Sequence, residues 1–177
     1  MAKNVLVAGG AGGVGEGIVR ALLASTDVTV IATSRDPARL ARLESRIGPA
    51  EANRFIGIVG DAADPQGSEA IAARIREDAG GLDVAIPSLG GWWDGGPLLG
   101  VDVATWDAVI HEMLDTHFVF ARTFVPELER RPGGWYLAIG GGAAFFPVPG
   151  SGIVSIAAAA QLMLTRALAA ETRGRDV

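Results

Sequence analysis

Short apolar runs separated by longer amphipathic stretches recur along the whole chain. Asn4–Ala8 (NVLVA) and Val28–Thr33 (VTVIAT) show no polar alternation, the pattern of strands buried on both faces of a parallel sheet. Arg54–Val59, Leu82–Ile86 and Gly134–Ile139 read as three further strands. Between them lie helical stretches. Glu16–Ala24 places Ile18, Val19, Leu22 and Leu23 on one side, and Gln66–Ala79 follows the third strand. Asp36-Pro37 opens another helix: Asp suits the N-cap, and Pro suits the first turn because its missing N–H would be unpaired there. Val103–Leu128 predicts a long helix bent near Pro126, and Ile153–Thr172 an alanine-rich one. This alternation predicts an α/β fold, a doubly wound (Rossmann-type) parallel sheet with helices on both faces.

The turn after the first strand carries the chemistry. It reads Ala8-Gly9-Gly10-Ala11-Gly12-Gly13-Val14-Gly15. Gly10, Gly12 and Gly15 fit GxGxxG, while Gly9, Gly13 and Gly15 fit GxxxGxG. Both patterns serve one need: a strand must turn sharply into a helix while the backbone approaches a phosphate without Cβ interference. The helix then offers free N–H groups and a positive dipole end to the anion. A glycine-rich turn with no ligand is the bland alternative. The position between a buried strand and a helix favours a pyrophosphate, with Gly9, Gly12, Gly13, Val14 and Gly15 around it. Residues 1–177 thus read as one dinucleotide-binding domain, without repeat, linker or low-complexity tract.

The end of the second strand refines the ligand. An acid there would bind the adenosine ribose of NAD, but the chain has Ser34 followed by Arg35. A guanidinium can grip a 2′-phosphate, so the expected cofactor is NADP(H) ahead of NAD(H). The competing reading leaves Arg35 as a solvated residue partly neutralised by Asp36.

Composition narrows the class. The chain is 49% hydrophobic and 20% charged, as folded domains are, and holds 25 glycines. A net charge of −5 with no run of Lys or Arg argues against nucleic acid and anionic membranes. Cysteine is absent, so thiolate chemistry and disulfides are excluded. The opening MAKNVLVAGG is too short an apolar run for a signal peptide, which suggests a cytoplasmic protein. No stretch reads as the ~18 consecutive apolar residues of a membrane span. His and Asp occur without ligand spacing, so no metal is expected.

The motifs together resemble the short-chain dehydrogenase/reductase family over essentially the whole chain. Ala8-Gly9-(x)3-Gly13-Val14-Gly15 stands where that family has Thr-Gly-(x)3-Gly-Ile-Gly. Gly60-Asp61 resembles its adenine-contacting Asp, with Ala62 beside it. Leu82-Asp83-Val84, Trp106-Asp107 and Thr165–Glu171 also match. The family's Asn-Asn-Ala-Gly after strand four is here Pro87-Ser88-Leu89-Gly90, which the resemblance places against the cofactor. Its catalytic tetrad is replaced throughout: Met113 stands for Asn, Gly141 for Ser, Val154 for Tyr and Ala158 for Lys. No Tyr-(x)3-Lys occurs anywhere, and Lys3 is the only lysine.

In the family, Tyr supplies the proton, Lys lowers its pKa and holds the ribose, and Ser orients the carbonyl. Val154, Ala158 and Gly141 offer no side-chain donor. The single tyrosine, Tyr136, begins strand five, away from the strand ends where ligands bind. His117, one turn after Met113, and Asp94 are weak stand-ins, with His111 and Asp115 behind them. Each has a bland reading: solvated helix surface for His111 and Asp115, a hydrogen-bonded core or interface residue for His117. Trp92 and Trp93 could line a small-molecule pocket, or pack against core and subunit contact. The resemblance also implies homo-oligomers through the last two long helices, where the small residues Ala157–Ala160 would let helices approach, and two further C-terminal strands beyond Arg175-Asp176-Val177. Two readings therefore stand: a nicotinamide dinucleotide-binding protein without the usual chemistry, or an NADP(H)-dependent oxidoreductase of carbonyl or hydroxyl substrates using other groups.

Overall fold

Residues 3–175 and 177 are described by a computed structural model. Five parallel strands stand in the order β3-β2-β1-β4-β5: β1 Asn4–Ala8, β2 Thr29–Ser34, β3 Phe55–Val59, β4 Val84–Pro87 and β5 Trp135–Tyr136. Val5 sits opposite Val30 and Val84, and Leu6 opposite Ile31 and Ala85. The order reverses direction at β1, so a crevice opens beyond the carboxyl ends of β1 and β4.

The period-two alternation divides each strand between two cores. Leu6, Ala8, Ile31 and Ala85 face α3 (Pro65–Ala79) and α5 (Thr116–Leu128), which cover them with Ile71, Ile75, Phe120, Phe124 and Leu128. Val5, Val7, Val30 and Ala32 face α1 (Gly13–Ser25) and α2 (Pro37–Glu44), through Val19, Leu23, Leu40 and Leu43. Phe120 and Phe124 are fully buried with ring centroids 4.5 Å apart. Truncating either to Ala would cost about 3–5 kcal/mol in lost transfer energy and cavity.

Aspartates start three of the helices, because their carboxylates accept from unpaired first-turn N–H groups. Asp36 accepts from the N–H of Ala38 at 2.8 Å and of Arg39 at 3.3 Å. Asp64 caps α3 through the Gly67 N–H at 2.8 Å, and Asp102 caps α4 (Val103–Ile110) through Thr105 at 2.8 Å.

Three expectations need correction. The long helix does run to Leu128, with Pro126 inside α5 near its end. It is interrupted earlier, by a π turn over His111–Asp115 between α4 and α5. Strand five does not run over Gly134–Ile139; ladder pairing holds only for Trp135–Tyr136. One further bond, Leu137 N–H to the Ala85 carbonyl at 2.9 Å, follows before three consecutive glycines, Gly140–Gly142. Among the described residues β5 is the edge of the sheet and pairs only with β4. Finally, α6 (Gly152–Glu171) has the length and mean hydropathy, 1.6, of a membrane-crossing helix, which reading consecutive apolar residues had missed because Ser155, Gln161, Thr165 and Arg166 interrupt it. Ile153, Val154 and Ala157 of α6 are buried against Val109 and Met113.

Candidate functional site

The glycine loop is built by contact, not by flexibility. Gly9 has φ of +71°, and a Cβ there would lie 2.3 Å from the Ser88 carbonyl oxygen. A Cβ on Gly15 would lie 2.2 Å from the Gly9 carbonyl oxygen. These two glycines let α1 pack onto the loop and the loop onto the end of β4. Gly13 is different: no atom stands within 4 Å of its would-be Cβ, so its lack of a side chain keeps space open. Gly12, the N-cap of α1, provides no side-chain cap, and the N-terminal end of the helix faces this space.

Two cavities meet at the loop. The first, about 370 Å³, is lined by Gly9, Gly12, Ser34, Arg35, Asp61, Ala62, Ser88, Leu89 and Gly90, and is of ligand-binding size. The second, about 380 Å³, is lined by Gly12, Gly13, Val14, Ser88, Leu89, Gly90, Met113, His117 and Gln161. Gly12, Ser88, Leu89 and Gly90 belong to both walls, so the two form one groove with the glycine loop at its middle. Of the residues expected around a dinucleotide, only Gly15 lies behind the wall, as packing for the loop.

The first cavity is lined by two guanidiniums, at the end of β2 and on α2, and by the carboxylates of Asp36, Asp61 and Glu112. Arg35 and Arg39 both line it. The Asp36 carboxylate is occupied with capping α2 and lies 3.6 Å from Arg39, whereas the acid facing Arg35 is Asp61, at 3.8 Å. Asp61 also accepts the Ala63 N–H at 2.9 Å, so it both caps a turn and lines the cleft. The Ser34 hydroxyl is engaged locally with the backbone of Asp36 at 3.1 Å, and the buried Thr33 hydroxyl accepts the Gly9 N–H at 3.3 Å.

The second cavity is mostly apolar, with Ser88, His117 and Gln161 as its polar side chains. His117 is 4% exposed, and its Nε2 lies 3.2 Å from the Leu89 carbonyl. A carbonyl only accepts, so Nε2 carries the proton. Burial holds the imidazole pKa below its usual value, with the Leu89 bond opposing, so the ring is neutral near pH 7.

This strand order, this groove and this loop match a known family throughout. The family described as short chain dehydrogenase matches residues 3–177. The chain belongs to the short chain dehydrogenase family. A cis-2,3-dihydrobiphenyl-2,3-diol dehydrogenase of Metapseudomonas furukawaii is 30% identical over 96% of this chain and 60% of its own length. A dehydrogenase/reductase SDR family member 4 of Sus scrofa is 26% identical over 99% of the chain and 62% of its own length. The chain thus spans about three fifths of the curated relatives it matches. Among solved structures, a metagenomic short-chain oxidoreductase in complex with NADP superimposes with a TM-score of 0.83, at 25% identity over 97% of this chain and 76% of that one.

The four residues expected at the tetrad positions, Met113, Gly141, Val154 and Ala158, carry no polar side chain. Met113 and Val154, 8% and 2% exposed, share one apolar cluster with Val109, Ile153 and Ala157. Trp93 packs against this cluster, whereas Trp92 is 63% exposed, so the tryptophan pair is split. Ala158 is half-buried on α6, and Gly141, exposed, starts a 3-10 turn at Gly142–Ala144. Asp94 is exposed and lines neither cavity. His111 and Asp115 pair with each other at 3.2 Å on the exposed face of the π turn. Tyr136 is packed beside Phe120, ring centroids 6.1 Å apart, and burial pushes its hydroxyl pKa well above the ordinary value. Among the described residues no group of three His, Cys, Asp or Glu is arranged to hold a metal ion.

Sequence reasoning missed Arg39 and Gln161. Arg39 is visible once α2 is started at Pro37, because it then falls in the first turn beside the cleft. Gln161 is the one amide in the apolar stretch Ile156–Leu164, a signal that was open to reading.

Proposed function

We propose that this chain binds a nicotinamide dinucleotide along the groove, NADP(H) ahead of NAD(H), and that the usual Ser-Tyr-Lys hydride-transfer chemistry is lost. The observation that carries the reading is the pair of cavities joined through Gly12, Ser88, Leu89 and Gly90. Such a groove suits a ligand with two nucleotide halves and a pyrophosphate between them, set over the start of α1. The bare space at Gly13 suits the phosphates, and Arg35 with Arg39 suits a 2′-phosphate. The NADP in the metagenomic short-chain oxidoreductase supports the same choice.

When bound, the nicotinamide would supply hydride donor or acceptor chemistry. This chain's own residues would bind and orient it, but Val154, Ala158 and Gly141 put no side-chain proton donor or carbonyl orienter beside it. The protein then serves as a cofactor-dependent sensor, scaffold or inactive partner. His117 favours a second reading, an active NADP(H)-dependent oxidoreductase, because it is the one titratable side chain lining the second cavity. Calorimetric titration with NADPH and NADH tests the binding claim: saturable binding, tighter for NADPH, is expected, and absence of binding to both contradicts it.

A further inference from the structure

We propose that Gln161 and His117 are positioning residues for the nicotinamide-bearing half of the ligand, acting through two main-chain carbonyls in the wall of the second cavity. This rests on the dinucleotide reading above. The Gln161 carboxamide N–H donates to the Met113 carbonyl, and His117 Nε2–H donates to the Leu89 carbonyl at 3.2 Å. Met113 and Leu89 line the cavity together with Gln161 and His117, so each bond ties two parts of its wall to one another.

The carbonyls of the π turn are held one after another. The Thr116 N–H reaches back to the His111 carbonyl, one residue further than in an α-helix. The Thr116 hydroxyl takes the Glu112 carbonyl at 2.7 Å. Gln161, arriving from α6, takes the next carbonyl, that of Met113. Three consecutive carbonyls of the wider turn thereby accept bonds, that of Met113 from across the groove wall on α6. His117 follows immediately on α5 and fastens the turn to the loop after β4. The two bonds join α6, the π turn and the Pro87–Gly90 loop into one wall at the ring end of the groove. Neither side chain reaches the first cavity, whose wall includes neither residue.

The effect of Gln161 should therefore be confined to one half of the ligand, whereas His117 holds Leu89, which lines both cavities. The probes are NADPH and 2′-phospho-ADP-ribose, which lacks the nicotinamide ring, titrated calorimetrically into the full chain. Gln161→Met removes the donor at similar shape, Gln161→Glu replaces it with an acceptor, and His117→Leu removes the second tie. Each variant is expected to lose about tenfold in NADPH affinity, the scale of one unpaired buried carbonyl. In the Gln161 variants affinity for 2′-phospho-ADP-ribose should change by less than about twofold, since neither Gln161 nor Met113 lines the first cavity. Gln161→Lys, which keeps a donor, should restore much of the NADPH affinity. If Gln161→Met does not fold, Gln161→Glu carries the comparison. Equal losses for both probes in the Gln161 variants, or no loss for NADPH in either Gln161 or His117 variants, overturn the inference while leaving the dinucleotide reading standing. If the unsubstituted chain binds neither probe, the dinucleotide reading fails and takes this inference with it.

Discussion

Arg35 and Asp61 face each other across the carboxyl ends of β2 and β3, Nη1 to Oδ2 3.8 Å, with the Arg35 side chain 77% exposed. A pair this long and this wet is weak, so the guanidinium is available to a stronger partner. A 2′-phosphate is such a partner, and charge-assisted bonds to it are worth about 1.5–3 kcal/mol. Arg35→Ala is expected to lower NADPH affinity about 10- to 100-fold and to leave NADH affinity nearly unchanged. Arg39→Ala should lower it by less. Competition titration with the two cofactors measures both, and equal affinities in the unsubstituted protein contradict the assignment.

The loop glycines make opposite predictions. In Gly15→Ala the new Cβ would strike the Gly9 carbonyl oxygen at 2.2 Å, so α1 must move. That variant should lose several kcal/mol of stability, on the scale of about 1–3 or more for overpacking against backbone. Gly13→Ala meets no protein atom within 4 Å and should melt as the parent does. Its methyl group enters the space proposed for phosphate, so dinucleotide affinity should fall all the same. Thermal melts alongside calorimetry distinguish the two; a Gly13→Ala protein that binds normally would show that the phosphates lie elsewhere.

His117 gives the fold a pH dependence whose sign follows from its environment. Its folded pKa lies below the ordinary 6.5, mainly through burial. Above pH 6.5 the imidazole is neutral in folded and unfolded chain alike, and stability is complete. As pH falls below that value, the unfolded chain takes up a proton first, so stability declines until the depressed folded pKa is passed. Urea midpoints at about pH 7.5 and about pH 5 should differ more in the parent than in His117→Gln. Equal pH dependence in the two would place the acid sensitivity elsewhere.

The outer sides of the last helices leave apolar side chains in water: Phe118 is 54% exposed, Met163 59% and Ile156 40%. We propose that a second copy of the chain covers α5 and α6. Ala157, expected on the pairing face, packs inward instead, while Ala159 is exposed. Light scattering should show a dimer, and Phe118→Glu combined with Met163→Glu should shift it to monomer. A parent that remains monomeric at high concentration contradicts the proposal.

The sequence was most legible where burial is two-sided. The runs of β1 and β2 have no polar face, and the structure places them in the middle of the sheet within a residue of the expected bounds. The glycine loop was readable because its constraint is steric and local. The π turn was not: HEMLD carries no breaker, and its wider register is held by Thr116 and by Gln161 from a distant helix. Pro126 left the end of the helix where the apolar pattern put it, since α5 continues through it to Leu128. The fate of Trp93 was equally illegible, because it depends on Met113 and Val154 meeting from separate helices.

The most direct test of the central claim is the rate of NADPH oxidation by the full chain at saturating NADPH, with a panel of simple ketones and aldehydes. General-acid catalysis is worth roughly 10²–10⁴ in rate and an oxyanion donor roughly 10²–10³, and the proposed loss removes the usual side chains for both. The account predicts saturable NADPH binding with no carbonyl-dependent oxidation above background. Steady turnover of several ketones, retained in His117→Ala and Asp94→Ala and abolished by Gly13→Ala, would contradict it.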